Sequence, residues 1–485
     1  MTTPARVVAA ATAAFGAGLS SLAVLQHRAF WTGRFDVGNL VQAVWSTAHG
    51  DVLSVTGLTG RQISRLGAHF DPIVAAFAPF WWLWPDPALL LVTQGLAVAT
   101  GAVPVYLLGR RYLDSEWVAA GLALAYLLHP ATQWLVLDDF HPVALATPLL
   151  LWGFWFLDSG RLLPFALVAG TACLTKEQIG LVVAAMGLWY AFRPQGRRVG
   201  LAIAVVGTAV SLVAVTVVVP HFAPGGGSPF EGRYESVGGS PGGIAKTAVT
   251  DPGAIVSEVT GGHDLAYLAD LLLPLLGLPL LAPLAALTAA PELLLNLLSG
   301  TRTQTSIHFH YTAGALPGLF VAAILGAARL RRRFAWARWP DGRAVVLSTL
   351  VAGVLLGPLP IWRHVPFGSD LGTHEHVVGH HAAVARRALA LVPPGAAVSA
   401  SNTLGAHLSE RRRIFSFPVL GEATWVAVDR QRPSYRDAMD APVRFERALA
   451  VLRARGDFTV VFDEDGILVL RKRVREGSSA GAGTP

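Results

Sequence analysis

Residues 143–198 read VALATPLLLWGFWFLDSGRLLPFALVAGTACLTKEQIGLVVAAMGLWYAFRPQGRR. Three apolar runs, starting at Val143, Leu162 and Ile179, are separated by two short polar breaks and closed by a basic group. A soluble helix shows an apolar stripe, whereas these runs are apolar all round, as a bilayer requires. Arg161 and the group Arg193, Arg197 and Arg198 fall at alternate connections, and Lys176-Glu177-Gln178 lies between them. Basic residues mark the cytoplasmic side of a membrane protein, so Lys176 and its neighbours face the other side.

The same reading extends outward over the chain. Of its 485 residues, 53% are hydrophobic and only 14% charged, well below the roughly one quarter charged in soluble domains. Further spans are expected from Val7 and from near Pro87, Trp117, Val199, Leu265, Leu281, Thr312 and Ala344. The first is read as a retained helix with a cytoplasmic N-terminus, because apolar segments follow it and no small-residue cleavage site does. Arg110-Arg111 and the cluster Arg329 to Arg343 complete the cytoplasmic set. The count is about eleven spans, with outside connections at 26–86, 131–142, 175–178, 221–264, 299–311 and after Trp362. Pro72 to Trp84 is read as an interfacial helix, on its Trp81, Trp82 and Trp84. The net charge of +7 sits in short clusters between spans, which argues against a nucleic-acid partner. The lone Cys173 excludes an intrachain disulfide.

The expected fold is therefore an all-α polytopic membrane domain over residues 1–361, followed by a small α/β domain outside the membrane over 362–476 and a disordered tail over 477–485. In the α/β part, helices are expected at His376–Leu391 and Val443–Ala454 and strands at Ala396–Ala400, Trp425–Val428, Phe458–Phe462 and Ile467–Leu470. The last two form a hairpin through Asp463-Glu464-Asp465-Gly466. The cytoplasmic (inner) membrane is the expected location.

The outside connections hold an uneven share of ionisable residues. The first carries Arg34, Asp36, His69 and Asp71, and its stretch Phe35 to Trp45 reads as an amphipathic helix on the membrane surface. The next has Asp138-Asp139-Phe140-His141-Pro142, the third Lys176-Glu177, and later ones Arg233-Tyr234 and Arg302, His308, His310 and Tyr311. Charged groups near membrane depth are costly and point to function. Each also has a plainer reading: Asp36 as a helix cap, Lys176 and Glu177 as a structural ion pair, Arg233 and Arg302 as headgroup contacts, His308 and His310 as solvated loop residues. As a set they suit group transfer from an anionic lipid-linked donor. Asp36, with His69 and Asp71, would accept the proton of an attacking hydroxyl. Lys176, Arg233 or Arg302 would stabilise the departing phosphate. Alternatively Asp36, His69 and Asp71 would hold a divalent cation. His141, Glu177, Tyr234, His308, His310 and Tyr311 are then substrate-binding candidates.

The runs Phe35-Asp36-Val37-Gly38 to Trp45-Ser46-Thr47-Ala48-His49-Gly50, His69-Phe70-Asp71-Pro72, Phe140-His141-Pro142, Lys176-Glu177-Gln178, Arg233-Tyr234, Pro291 to Leu298 and His310-Tyr311 resemble, in order, the motifs of a prokaryotic membrane-protein family, domain of unknown function 2079. That family is similar to the C-type (GT-C) glycosyltransferases, which take sugars from polyprenyl-phosphate donors at the outer membrane face. The resemblance implies a GT-C-like fold, a polyprenyl-phosphate-linked sugar and the lipid bilayer as partners, and Asp36 as the acidic catalytic residue of the first outside loop. Two departures stand out: Asp36 has no adjacent second acid, and Gln178 stands where the third motif commonly has Asp. The competing class is a transporter or flippase of lipid-linked or small anionic substrates, favoured by Lys176-Glu177 between two short apolar segments.

Overall fold

The computed structural model describes residues 1–194, 196–225, 231–333, 342–434, 437 and 442–473; the tail expected at 477–485 lies outside them. Three helices are long and apolar enough to cross a membrane: α1 (Thr3–Arg28), α2 (Ala88–Tyr112) and a third at Arg197–Phe222. At 1.5 Å per residue, the 26 residues of α1 rise about 39 Å, enough for a bilayer core of about 30 Å. Glu116–Leu128 and Pro130–Leu137 together make a fourth candidate, bent by 43°. The bend has a local cause. His129 precedes Pro130 and is extended (φ −61°, ψ 127°), as the ring of a following proline demands. Shorter apolar helices, among them α3 (Ala146–Asp158), α4 (Leu162–Cys173) and α5 (Ile179–Ala191), fill the rest. Three or four helices of spanning length thus stand among the described residues, beside the about eleven spans read from sequence. Ala315–Arg333 lies at the centre, buried from Ala315 to Ile324 without a break.

Helix α5 is seated against Arg197–Phe222 by paired small residues. A Cβ on Gly180 would come within 2.4 Å of the Gly207 carbonyl, and one on Gly187 within 2.6 Å of that of Gly200. Such close backbone approach is how apolar helices associate where no hydrophobic force separates them from lipid. Ser211 then donates its hydroxyl to the Glu177 carbonyl at 2.6 Å, fixing the turn ahead of α5. Helices α3, α4 and α5 run back and forth between two ends of the bundle. At one end Asp158 lies between Arg111 (3.0 Å) and Arg193 (2.7 Å), with Tyr112 bonded to the same carboxylate. At the other end lie His141, Lys176 and their neighbours.

The C-terminal part forms a five-stranded sheet: β1 (Val398–Ala400), β2 (Ile414–Ser416), β3 (Trp425–Asp429), β4 (Phe458–Glu464) and β5 (Ile467–Lys472), in the order β2-β1-β3-β5-β4. The first three are parallel, and β5 pairs antiparallel with β3 and β4. Both faces are covered, as the alternation of side chains shows. Trp425, Ala427, Ile467 and Val469 pack with the helix His380–Leu389, and Val426, Val428, Leu468 and Leu470 with the helix Pro442–Ala454. The hairpin turn has Asp465 and Gly466 at positive φ (48° and 79°), which an Asp-Gly turn accommodates. Two features differ from the expectation. Strand β2 was not anticipated: its three residues are too few to show a period. The helix starts at His380, and His376 instead bonds through Nδ1 to the Leu22 carbonyl at 3.1 Å.

Candidate functional site

The first-loop motif does not lie on a membrane surface. Arg34–Gly38 forms a π turn that leads into the helix Asn39–Ala48, and both are clamped beneath the sheet domain. Arg34, 1% exposed, donates to the Ser416 hydroxyl (2.6 Å) and to the carbonyls of Ile414 (2.6 Å) and Thr56 (2.7 Å). Phe35 N–H donates to Asn402 Oδ1 at 3.2 Å, and Gln42 Nε2 reaches the Arg411 and Arg412 carbonyls. The apolar side of the predicted amphipathic helix is real, but protein and not lipid covers it. These contacts fix the backbone on either side of Asp36.

The turn 138–141 supplies the centre. It follows the Pro130–Leu137 helix, and Asp139 takes a left-handed conformation (φ 51°), which a short polar side chain tolerates better than most. Gln94, fully buried in α2, ties the turn down: its Nε2 donates to the Asp139 carbonyl (2.6 Å) and its Oε1 accepts from His141 N–H (2.8 Å). Asp139 Oδ2 in turn accepts from Gly33 N–H at 2.9 Å, joining this turn to the Asp36 motif. Asp138 Oδ2 receives the N–H of His310 (2.8 Å) and faces its Nδ1 (3.0 Å). The His141 and His310 rings stack with centroids 3.6 Å apart. His141 Nδ1 lies 2.7 Å from the Asp138 carbonyl, so it carries the proton, and Nε2 faces Asp36 Oδ1 at 3.4 Å. That last contact is favourable when one proton is shared between imidazole and carboxylate. Lys176 Nζ is 3.5 Å from His310 Nε2 and 5.2 Å from the centre of the Tyr311 ring.

Around this centre the remaining candidates divide. His69 pairs with Glu177 (Nδ1 to Oε1, 2.9 Å), whose other oxygen accepts from Phe70 N–H at 3.0 Å. Burial pushes the Glu177 carboxyl up, but His69 and Lys176 outweigh it and hold it at about 2. Asp71 turns away from the centre: it is 2% exposed and takes both Nε (3.0 Å) and Nη2 (2.8 Å) of Arg65. Arg65 also holds Asn39 (2.8 Å). Arg233 acts electrostatically on His310, and its carbonyl accepts from Gly300 N–H at 2.8 Å. Tyr234 bonds to Gln304 and is close enough to Tyr311 to be influenced by it. Arg302 is exposed, and no side-chain bond joins it to the centre among the described residues. His308 packs on the edge of Trp134 (5.0 Å) with Nε2 buried and unpartnered among the described residues. The segment read as interfacial forms the helices Pro72–Phe77 and Ala78–Trp81, with Trp81 itself buried. Phe77 meets Phe140 edge-on at 5.7 Å, while Phe80, Trp82 and Leu83 point outward, exposed.

Electrostatically, the centre is strained by its acids. Burial raises Asp138 to about 6, with Asp36 adding to the rise against the opposing pull of His141. Asp139 is raised further, by burial and then by Asp36. Closely spaced carboxylates of this kind accept protons or cations readily. Asp138, His141 and His310 each offer one ligand atom within 4.8 Å of the others, an oxygen and nitrogen set that suits a zinc- or manganese-like ion. The cation set read from sequence, Asp36, His69 and Asp71, does not assemble, since Arg65 neutralises Asp71 and Glu177 occupies His69.

Asp138, Asp139 and Gln94 were not singled out as site residues by sequence reasoning. The two acids stood in an outside turn, and Gln94 was a lone amide inside an apolar run, which is itself a signal.

The fold and its buried loops define a multi-pass membrane protein with a sheet domain set over its ionisable end. The chain belongs to the family described as "Predicted membrane protein (DUF2079)", whose model matches residues 26–469. No curated protein matches it in sequence. Among solved structures it is similar to ArnT from Cupriavidus metallidurans bound to undecaprenyl phosphate, at 14% identity and a TM-score of 0.54, covering 97% of this chain and 98% of that one. It is also similar to ArnT in the apo state, at 15% identity and a TM-score of 0.51, covering 90% and 93%. At such identity the likeness is one of fold.

Proposed function

We propose that the chain is a GT-C-like membrane glycosyltransferase that moves a sugar from a polyprenyl-phosphate donor to an acceptor on the outer face of the cytoplasmic membrane. One observation carries the reading: Asp36, Asp138, His141, Lys176 and His310, from four separate connections, form a single chain of contacts. The motif resemblance to C-type glycosyltransferases and a fold shared with a protein crystallised with undecaprenyl phosphate support the same class. In this reading Asp36 takes the proton of the acceptor hydroxyl, and His141 Nε2 orients the carboxylate. Lys176 and Arg233 stabilise charge on the departing phosphate. Asp71 serves by holding Arg65 and the first loop, and the outward aromatics of the segment Pro72 to Trp84, Phe80, Trp82 and Trp84, border lipid entry. A divalent cation held by Asp138, His141 and His310, for which His141 would give up one of its two ring contacts, would supply Lewis-acid neutralisation of the same phosphate.

The topology follows the arginines: an N-terminus in the cytoplasm, about eleven crossings of which several are short or bent helices, and residues 362–476 outside. The meeting of Arg111, Asp158 and Arg193 at the end opposite His141 supports this sidedness.

Purified protein incubated with a panel of polyprenyl-phosphate sugars should release free polyprenyl phosphate. Asp36→Asn should lower that release by at least about 100-fold without changing the melting temperature. Silence across a broad panel, or full activity of the variant, would overturn the assignment.

A further inference from the structure

A second cavity, of about 500 Å³, lies away from these residues, between the end of α1, the start of α2 and the sheet domain. Its wall brings together charges of both signs: Arg28, Arg386 and Arg411 with Asp86 and Glu410. Most of these charges are left over by the fold. Arg28, Arg386 and Glu410 make no hydrogen bond or ion pair among the described residues. Arg411, 6% exposed, uses Nε and Nη1 on the carbonyls of Leu408 and Ala396. His407 stacks between His27 (4.1 Å) and Phe30 (3.8 Å), and its buried Nε2 has no partner among the described residues. An unpartnered buried nitrogen costs free energy unless something in the cavity bonds it.

The position matters as much as the charges. Arg28 closes the last turn of a membrane-length helix, where headgroups meet the apolar core and basic side chains reach for them. Leu25 and Leu391, beside the lining residues Val24 and Val392, remain exposed, an apolar exit for acyl chains. An anion alone would satisfy the arginines and oppose the carboxylates. A quaternary ammonium would bring charge but no N–H for Asp86 and Glu410. We propose that this cavity binds the headgroup of a zwitterionic bilayer phospholipid bearing a primary ammonium, its phosphate on the arginines and its ammonium on Asp86 and Glu410. The site is independent of the glycosyl-transfer reading.

The test is native mass spectrometry of the delipidated full-length protein. It is titrated with phosphatidylethanolamine, phosphatidylcholine and phosphatidylglycerol of identical acyl chains, and with free phosphoethanolamine. Phosphatidylethanolamine should be retained about fivefold better than the other two lipids, the effect of two partly exposed ion pairs. Glu410→Gln should erase its advantage over phosphatidylglycerol, and Arg386→Gln should weaken both; these exposed sites should leave the melting temperature unchanged. Equal retention of the three lipids, or a preference that survives Glu410→Gln, overturns the proposal. Equally tight binding of free phosphoethanolamine would overturn its lipid part.

Discussion

The two ends of the α3–α4–α5 zigzag treat buried carboxylates in opposite ways. At the Asp158 end, a fully buried side chain has a guanidinium against each oxygen, from Arg111 and Arg193. At the His141 end, Asp36, Asp138 and Asp139 crowd together with neutralising groups that are themselves titratable: His141, His310 and Lys176. The first arrangement is compensated in charge, with a guanidinium within 3.0 Å of each oxygen. The second can exchange protons or take up charge at low cost, because Asp138 and Asp139 are already pushed toward their neutral forms. The contrast teaches that burial and charge alone do not mark a site. What marks it is burial with incomplete compensation.

The largest expected effect comes from breaking the compensated end. Asp158→Ala leaves two half-exposed arginines facing each other, so stability should fall by about 1.5–3 kcal/mol, read as a lowered melting temperature in detergent. Donor affinity of the surviving folded fraction should be unchanged. Asp138→Asn should do the reverse. Its turnover of an identified donor should drop by about 100-fold, since His310 loses the carboxylate that orients it. Stability should hold. A carboxyl raised to about 6 in the fold from 3.8 contributes stability that is present below pH 3.8 and lost as pH rises through 6. Above pH 6 the amide therefore removes a liability, and the variant should melt no lower than wild type at pH 8. A smaller effect is expected at Glu177. Its carboxyl, held at about 2 against an ordinary 4.5, contributes stability that is full above pH 4.5 and lost as pH falls toward 2. Glu177→Gln should lower the melting temperature at pH 7, and the difference from wild type should shrink on acidification below 4.5.

How much of this could be read in the chain differs between the same two ends. The loops that meet at the His141 end were legible because their residues are expensive at membrane depth: Lys176, His310 and Asp36 stand out against apolar neighbours. The hairpin at Asp465-Gly466 was legible because its turn chemistry is local. What escaped depends on which partner each side chain finds in the fold. Asp71 looked like a site acid beside His69, but Arg65, six residues upstream, claims it. The first-loop helix looked membrane-facing because an apolar face does not say what covers it, and Arg34 finds its partners at Thr56, Ile414 and Ser416. Span counting was blurred for a related reason. Helices such as Leu162–Cys173 and Ile179–Ala191 are shorter than a straight span, and the stops at Lys176 and His129-Pro130 belong to the site and to a bend.

The incompletely compensated end is held to be where a lipid-linked phosphate is received, and Lys176 is its nearest fixed cation. Equilibrium binding of polyprenyl phosphate to wild type and Lys176→Gln, each reconstituted in nanodiscs, tests this directly. Affinity should fall at least about tenfold in the variant, the loss expected for a charge-assisted contact of about 1.5 kcal/mol or more, while Asp158→Asn in the folded state binds as wild type does. Equal affinity of wild type and Lys176→Gln would contradict the account.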